Sequence, residues 1–269
     1  MMNHLRDAVG AVWRTKKLWI LQLLVNPALF VAAALWLNIP ESHLWQLVLT
    51  LIMLVVIVAG WAWLQAGTLR YFADLEEYEH LLGSAFSGAL QAIIPFLLWA
   101  GVLAALMFGV GDLGAATPRT ATYIRSMMPV GMRNHISESQ LDWTFAVLTW
   151  VAFWIVIPAI MLPLGREIAG HAWQGIDYEG RHQWSLTIRN GWYWLWIVVL
   201  ALPGVFLPQR LIAWLPHATS VTGETVSLVV RFAVAWLLAA TAWTVLTSLL
   251  GTYGRRPRHV DGDSPGEPA

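Results

Sequence analysis

"LVLTLIMLVVIVAGWAWL", residues 47 to 64, runs for eighteen residues without a charged side chain. A helix needs about 20 mostly apolar residues to cross the hydrocarbon of a bilayer. This run is part of a longer apolar segment from Leu44 to about Leu69. It lacks the polar/apolar alternation of a barrel strand, so a helix is the structure that satisfies its backbone in lipid. Working outward, five more runs qualify, at about residues 18–37, 92–110, 143–164, 192–211 and 226–250. The expected fold is all-α, a polytopic bundle of six transmembrane helices within residues 1–250. Span five is broken by Pro203 and Pro208. The tail from 251 to 269 is polar and rich in Gly and Pro, the composition of a disordered segment. The first run is too long for a signal-peptide core and no small-x-small cleavage site follows it, so it reads as an uncleaved anchor.

Composition agrees. The chain is 58% hydrophobic and 12% charged, against about 25% charged in a soluble domain. Sixteen basic and sixteen acidic residues give zero net charge, which argues against a nucleic-acid partner. The absence of cysteine excludes disulfides, thiolate metal sites and thiol nucleophiles. The 18 tryptophans suit the headgroup layer. Trp13, Trp19, Trp36, Trp45, Trp143, Trp173, Trp184 and Trp214 lie near predicted span ends.

Lys and Arg set orientation. Arg6, Arg14, Lys16, Lys17, Arg70, Arg166, Arg181, Arg189, Arg255, Arg256 and Arg258 fall on one side. Arg119, Arg125, Arg133, Arg210 and Arg231 fall on the other or near it. Eleven against five predicts both termini in the cytoplasm, with the protein in a bacterial-type cytoplasmic (inner) membrane.

The connector "LRYFADLEEYEH", residues 69–80, concentrates carboxylates. A helix over 70–90 places Tyr71, Leu75, Tyr78, Leu82 and Phe86 on one face and Glu76, Glu77 and His80 on the other. That is the pattern of an amphipathic helix lying on the membrane. Such helices are expected after spans two and four. Glu79 falls inside the apolar arc and must snorkel, be protonated or pair with a cation, for which Arg166 and Arg181 are the candidates. "REIAGH", residues 166–171, repeats the four-residue spacing with Glu167 and His171. Sliding the chain by 96 residues sets Arg70 on Arg166 and Ala73 on Ala169, which suggests duplicated hairpins. If the connectors converge, Glu76, Glu79, His80, Glu167 and His171 form one cytoplasmic polar cluster with ligands for a divalent metal. The spacing matches no H-E-x-x-H or E-x-x-H motif. Solvated helix faces are the simpler reading, and no metal is assigned.

Inside the spans, Gln22 and Asn26 stand beside Pro27. They form a candidate intramembrane polar site, either lining a pathway or bonding helices together. Pro95, Pro158, Pro163, Pro203 and Pro208 add breaks. No Asp, Glu, Lys or His sits near a span centre, and Arg231 lies near the outer end of span six, where it is expected to snorkel. The loop from 111 to 142 carries Met127, Met128, Met132 and His135. These suit Cu(I), but an amphipathic helix or lid over the bundle is the simpler reading. There is no nucleotide loop, nucleophile elbow or dinucleotide fingerprint, so no catalytic residue and no cofactor is assigned.

Three stretches share one plan, a small amphipathic lead-in running into a span: "AVWRTKKLWILQLLVNPAL" (11–29), "GSAFSGALQAIIPFLLWAG" (83–101) and "WSLTIRNGWYWLWIVVLAL" (184–202). In this the chain resembles poorly characterised bacterial six-span membrane proteins. It is similar to the membrane domain found beside some glycerophosphodiester phosphodiesterases. The resemblance implies an accessory membrane module without chemistry of its own. The expected function is a non-enzymatic scaffold or partner subunit. Its partners would be the lipid bilayer and another membrane protein or a second copy. The alternatives are a small permease or transporter component, or a metal-dependent membrane enzyme using Glu76, His80, Glu167 and His171.

Overall fold

The computed structural model describes residues 2–38, 43–73, 82–174, 183–214 and 220–253. Among them the secondary structure is helical, with no strand. Helix α1 is Met2–Arg14, α2 Lys16–Leu37, α3 Leu44–Ala73, α4 Leu82–Gly88 and α5 Ile93–Ala115. Then come α6 (Thr117–Met127), α7 (Val130–Arg133), α8 (Glu138–Val151) and α9 (Ile157–Gln174). Helices α10 (Gln183–Arg189), α11 (Gly191–Ala201), α12 (Leu207–Ala213) and α13 (Val221–Tyr253) complete the chain. Six continuous helical segments are long and apolar enough to span a membrane: Lys16–Trp36, Leu44–Ala73, Leu82–Gly114, Glu138–Ala172, Gly191–Ala213 and Val221–Gly251. The protein is a multi-pass membrane protein. Several helices outrun the apolar stretches that predict them, because they continue until a cap or a break stops them. Span four starts at a capping box, in which Gln140 N donates to Ser137 Oγ (3.2 Å) and Ser137 N donates to Gln140 Oε1 (2.9 Å). Asn190 separates α10 from α11 and caps the latter, accepting from Trp192 N at 3.0 Å.

The helices form three hairpins, each made of a short lead-in helix, an odd span and an even span. Each lead-in packs on the even span before it in the ring: α4 on α3, α10 on α9, and α1 on α13. The odd spans follow the same rule. Each touches its own hairpin partner and the preceding even span. The three even spans contact one another. The beginning of the described chain therefore meets its end, and the arrangement is a closed ring with pseudo-threefold order. Each even span also sends one side chain to its lead-in's backbone. Trp63 Nε1 donates to Phe86 O (2.7 Å), Ser248 Oγ donates to Ala8 O (3.1 Å), and Glu167 Oε2 accepts from Trp184 N (3.0 Å).

Packing is concentrated in the half of the bundle that carries the lead-ins. The buried residues of α3 run from Ala62 to Phe72, while its first half is mostly exposed. Phe96 and Trp99 of α5, Tyr193 and Ile197 of α11, and Leu249 and Leu250 of α13 lie in that same half. There Gly251 lets α13 touch α3: a Cβ at Gly251 would stand 2.6 Å from Phe72 Cβ. Tyr71 and Phe72 are 1% and 0% exposed. Tyr71 is therefore a core residue, not part of the membrane-facing side of a surface helix as the amphipathic pattern predicts, because span two continues as a buried helix to Ala73.

The prolines are accommodated one by one. Proline lacks an N–H and leaves the carbonyl four residues earlier without its helical donor. Pro27 frees Leu23 O, which accepts from Trp236 Nε1 at 3.2 Å. Pro163 frees Ala159 O, which accepts from Tyr193 Oη at 2.8 Å. Around Pro158, Pro203 and Pro208 the chain widens into π-helical turns, Ala152–Val156 and Leu202–Phe206. Span five stays continuous through its prolines in this way.

Candidate functional site

The even spans converge at the lead-in end, and an open pocket of about 690 Å³ lies among the spans from Gln65 and Ile197 outward. All six spans line it. Its wall is hydrocarbon and indole, including Trp61, Trp154, Trp236 and Trp243. Both π-turns contribute, through Trp154 from one and Gly204 and Val205 from the other. Turns of this kind mark functional sites in many helices. No lining residue is charged; Asn26 and Gln65 carry its side-chain amides.

Those two amides belong to a directional hydrogen-bond relay across three spans. Trp243 Nε1 donates to Gln65 Oε1 (2.8 Å), and Gln65 Nε2 donates to Asn26 Oδ1 (3.3 Å). Asn26 Nδ2 donates to Gln22 Oε1 (2.6 Å) and to Gln22 O (3.0 Å). Gln22 Nε2 donates to Thr68 Oγ1 (2.6 Å), which donates to Leu64 O (2.7 Å). The direction is fixed at both ends, because an indole N–H can only donate and a carbonyl can only accept. Gln22, Gln65 and Thr68 are at most 1% exposed. Interhelical bonds in membranes are worth about 0.6 kcal/mol each on average, so the relay sets register and shape more than stability.

The structure brings Gln22 and Asn26 together as the intramembrane reading expects. It adds Gln65, Thr68 and Trp243, which that reading missed. For Gln65 the signal was present, since an amide inside an apolar run is the feature that singles out Gln22. Trp243 gave none, being one tryptophan among eighteen.

In the connectors, Glu167 Oε1 and His171 Nε2 stand 4.0 Å apart. The other carboxylate oxygen accepts from Trp184 N in the first turn of α10. Glu167 thus ties span four to its lead-in and favours the positive end of a helix dipole. Glu76, Glu79 and His80 lie outside the described residues. Among the described residues no three His, Asp or Glu gather as metal ligands. At the opposite end, α6 and α7 occupy the loop where one amphipathic helix or a lid is expected, with Met127 and Met132 exposed. Arg231 does not snorkel. It is 7% exposed and donates to the carbonyls of Leu211 and Ile212 (3.5 Å each) and of Trp214. It closes the C-terminal end of α12, where carbonyls lack helical donors.

No protein-family model matches the chain, and neither a curated protein nor a solved structure matches it.

Proposed function

We propose that the chain is a small permease-type membrane protein that takes an apolar ligand into its axial cavity. One observation carries this: six spans packed tightly toward one end leave an apolar pocket beyond that packing, lined by Asn26, Gln65 and Trp243 of the polar relay. Its volume falls in the range of about 300–1,000 Å³ typical of small-molecule sites, and its mainly apolar wall with a few placed polar groups is their usual composition. The Lys and Arg distribution supports a cytoplasmic lead-in end in an inner membrane, which directs the cavity toward the outer leaflet.

The test is ligand retention. Protein extracted in a mild detergent is examined by native mass spectrometry and by extraction of its bound small molecules. Wild type is expected to carry an apolar species in near-stoichiometric amount. Val58→Trp, which places an indole in the cavity, is expected to lose it while still purifying as a folded protein. An empty wild type would overturn the proposal. An empty wild type that recovers a partner protein, unchanged by Val58→Trp, is the pattern expected of a scaffold or partner subunit.

A further inference from the structure

The relay leaves unused hydrogen-bonding capacity at the cavity. A Gln amide has two N–H donors and an oxygen with two lone pairs. Gln65 spends one N–H on Asn26 and one lone pair on Trp243. Asn26 spends both N–H groups on Gln22 and one lone pair on Gln65. Among the described residues this leaves one donor on Gln65 and one acceptor site each on Gln65 and Asn26. Gln65 is 1% exposed and lines the cavity. A buried donor left unmet is destabilising, so a group that fills it is favoured.

We infer that the cavity binds a long-chain alcohol, with its hydroxyl against Gln65 and Asn26 and its hydrocarbon chain along the indole-lined wall. This rests on the proposed ligand-binding role of the cavity. The hydroxyl accepts the spare Gln65 N–H and donates to a free amide lone pair. It is a small neutral head that does both. A carboxylate or an ether accepts but does not donate, and a plain hydrocarbon does neither. A charged head also meets no countercharge here, since the lining has no Lys, Arg or His, and burying an unpaired charge is strongly disfavoured. Aliphatic and isoprenoid alcohols share this chemistry. The wall does not require either one.

The experiment uses full-length protein in nanodiscs of saturated phosphatidylcholine, photolabelled with a diazirine-bearing octadecanol. Labelled peptides are mapped by mass spectrometry. Labelling is then competed with unlabelled octadecanol, octadecyl methyl ether, octadecane and stearate at alkaline pH. Labels are expected on the cavity-lining stretches of α2, α3 and α13. Octadecanol should compete at about tenfold lower concentration than the ether, the factor that one hydrogen bond of about 1.4 kcal/mol supplies, and by a larger factor than octadecane or stearate. Gln65→Leu should abolish that advantage and leave labelling by the chain itself. Equal competition by all four compounds on wild type would overturn the alcohol assignment and leave the cavity as an apolar binding site. Labels scattered over lipid-facing surfaces, with no competition, would remove the cavity reading as well. The competitor series is run on wild type, so the assignment is tested even if Gln65→Leu fails to fold.

Discussion

Tyr193 and Pro163 act as a pair. The hydroxyl of Tyr193 supplies the donor that the proline ring denies to Ala159 O. Tyr193→Phe is expected to lower stability by about 1–3 kcal/mol, the cost of an unmet buried carbonyl, measured by denaturant unfolding in bicelles. Adding Pro163→Ala to Tyr193→Phe returns a backbone N–H four residues after Ala159. The double variant should therefore be more stable than Tyr193→Phe alone, and a strictly additive loss would refute the pairing. At this scale the sequence is half legible. Asn26 and Pro27 draw attention wherever they are read, because polar groups and helix breakers are costly in lipid. Their partners do not. Trp236 meets Leu23 O across 213 residues, and Trp243 meets Gln65 across 178. Those contacts exist only once the third hairpin is in place.

At the level of elements, close approach of the even spans depends on glycine. A side chain at Gly251 would press on the Phe72 backbone, with its carbonyl carbon 2.8 Å from the new Cβ. Backbone does not yield as a side-chain tip does, so Gly251→Ala is expected to cost about 1–3 kcal/mol through forced separation of α3 and α13. Gly101→Ala, where nothing lies within 4 Å, serves as the control. It should be neutral or slightly stabilising, since alanine is the better helix former. Equal effects at both sites in thermal unfolding would mean that the α3–α13 contact does not control stability. The spans themselves are legible from apolar length alone, and so is the presence of short helices after spans two and four. The inward turn of Tyr71 and Phe72 is not. An aromatic stripe suits a headgroup layer and a protein core equally well, and only the neighbour that covers it decides. The π-turns escape the reading for a similar reason: proline marks a break, but the way the chain absorbs it depends on the helix alongside.

For the whole molecule, sidedness decides which leaflet the cavity faces. The chain has no native cysteine, so single cysteines report cleanly. A membrane-impermeant thiol reagent on intact cells is expected to label Met132→Cys and to leave Val9→Cys unlabelled until the cells are opened. Both native residues are exposed, at opposite ends of the bundle. The reverse pattern would turn the cavity toward the cytoplasmic leaflet. The charge asymmetry that supports this orientation is written in the sequence. The cavity is not, because it is the space left when six helices close at one end only, and no single residue encodes it. The packing of α1 on α13 has a further consequence. Every lead-in has the same neighbour relation to an even span, including the pair made by the two ends of the described chain. The order of the hairpins along the polypeptide is then incidental to the ring. A circular permutant with its termini joined by a short linker and its chain opened between α3 and α4 would keep all of these contacts, and it should insert and fold as the parent does.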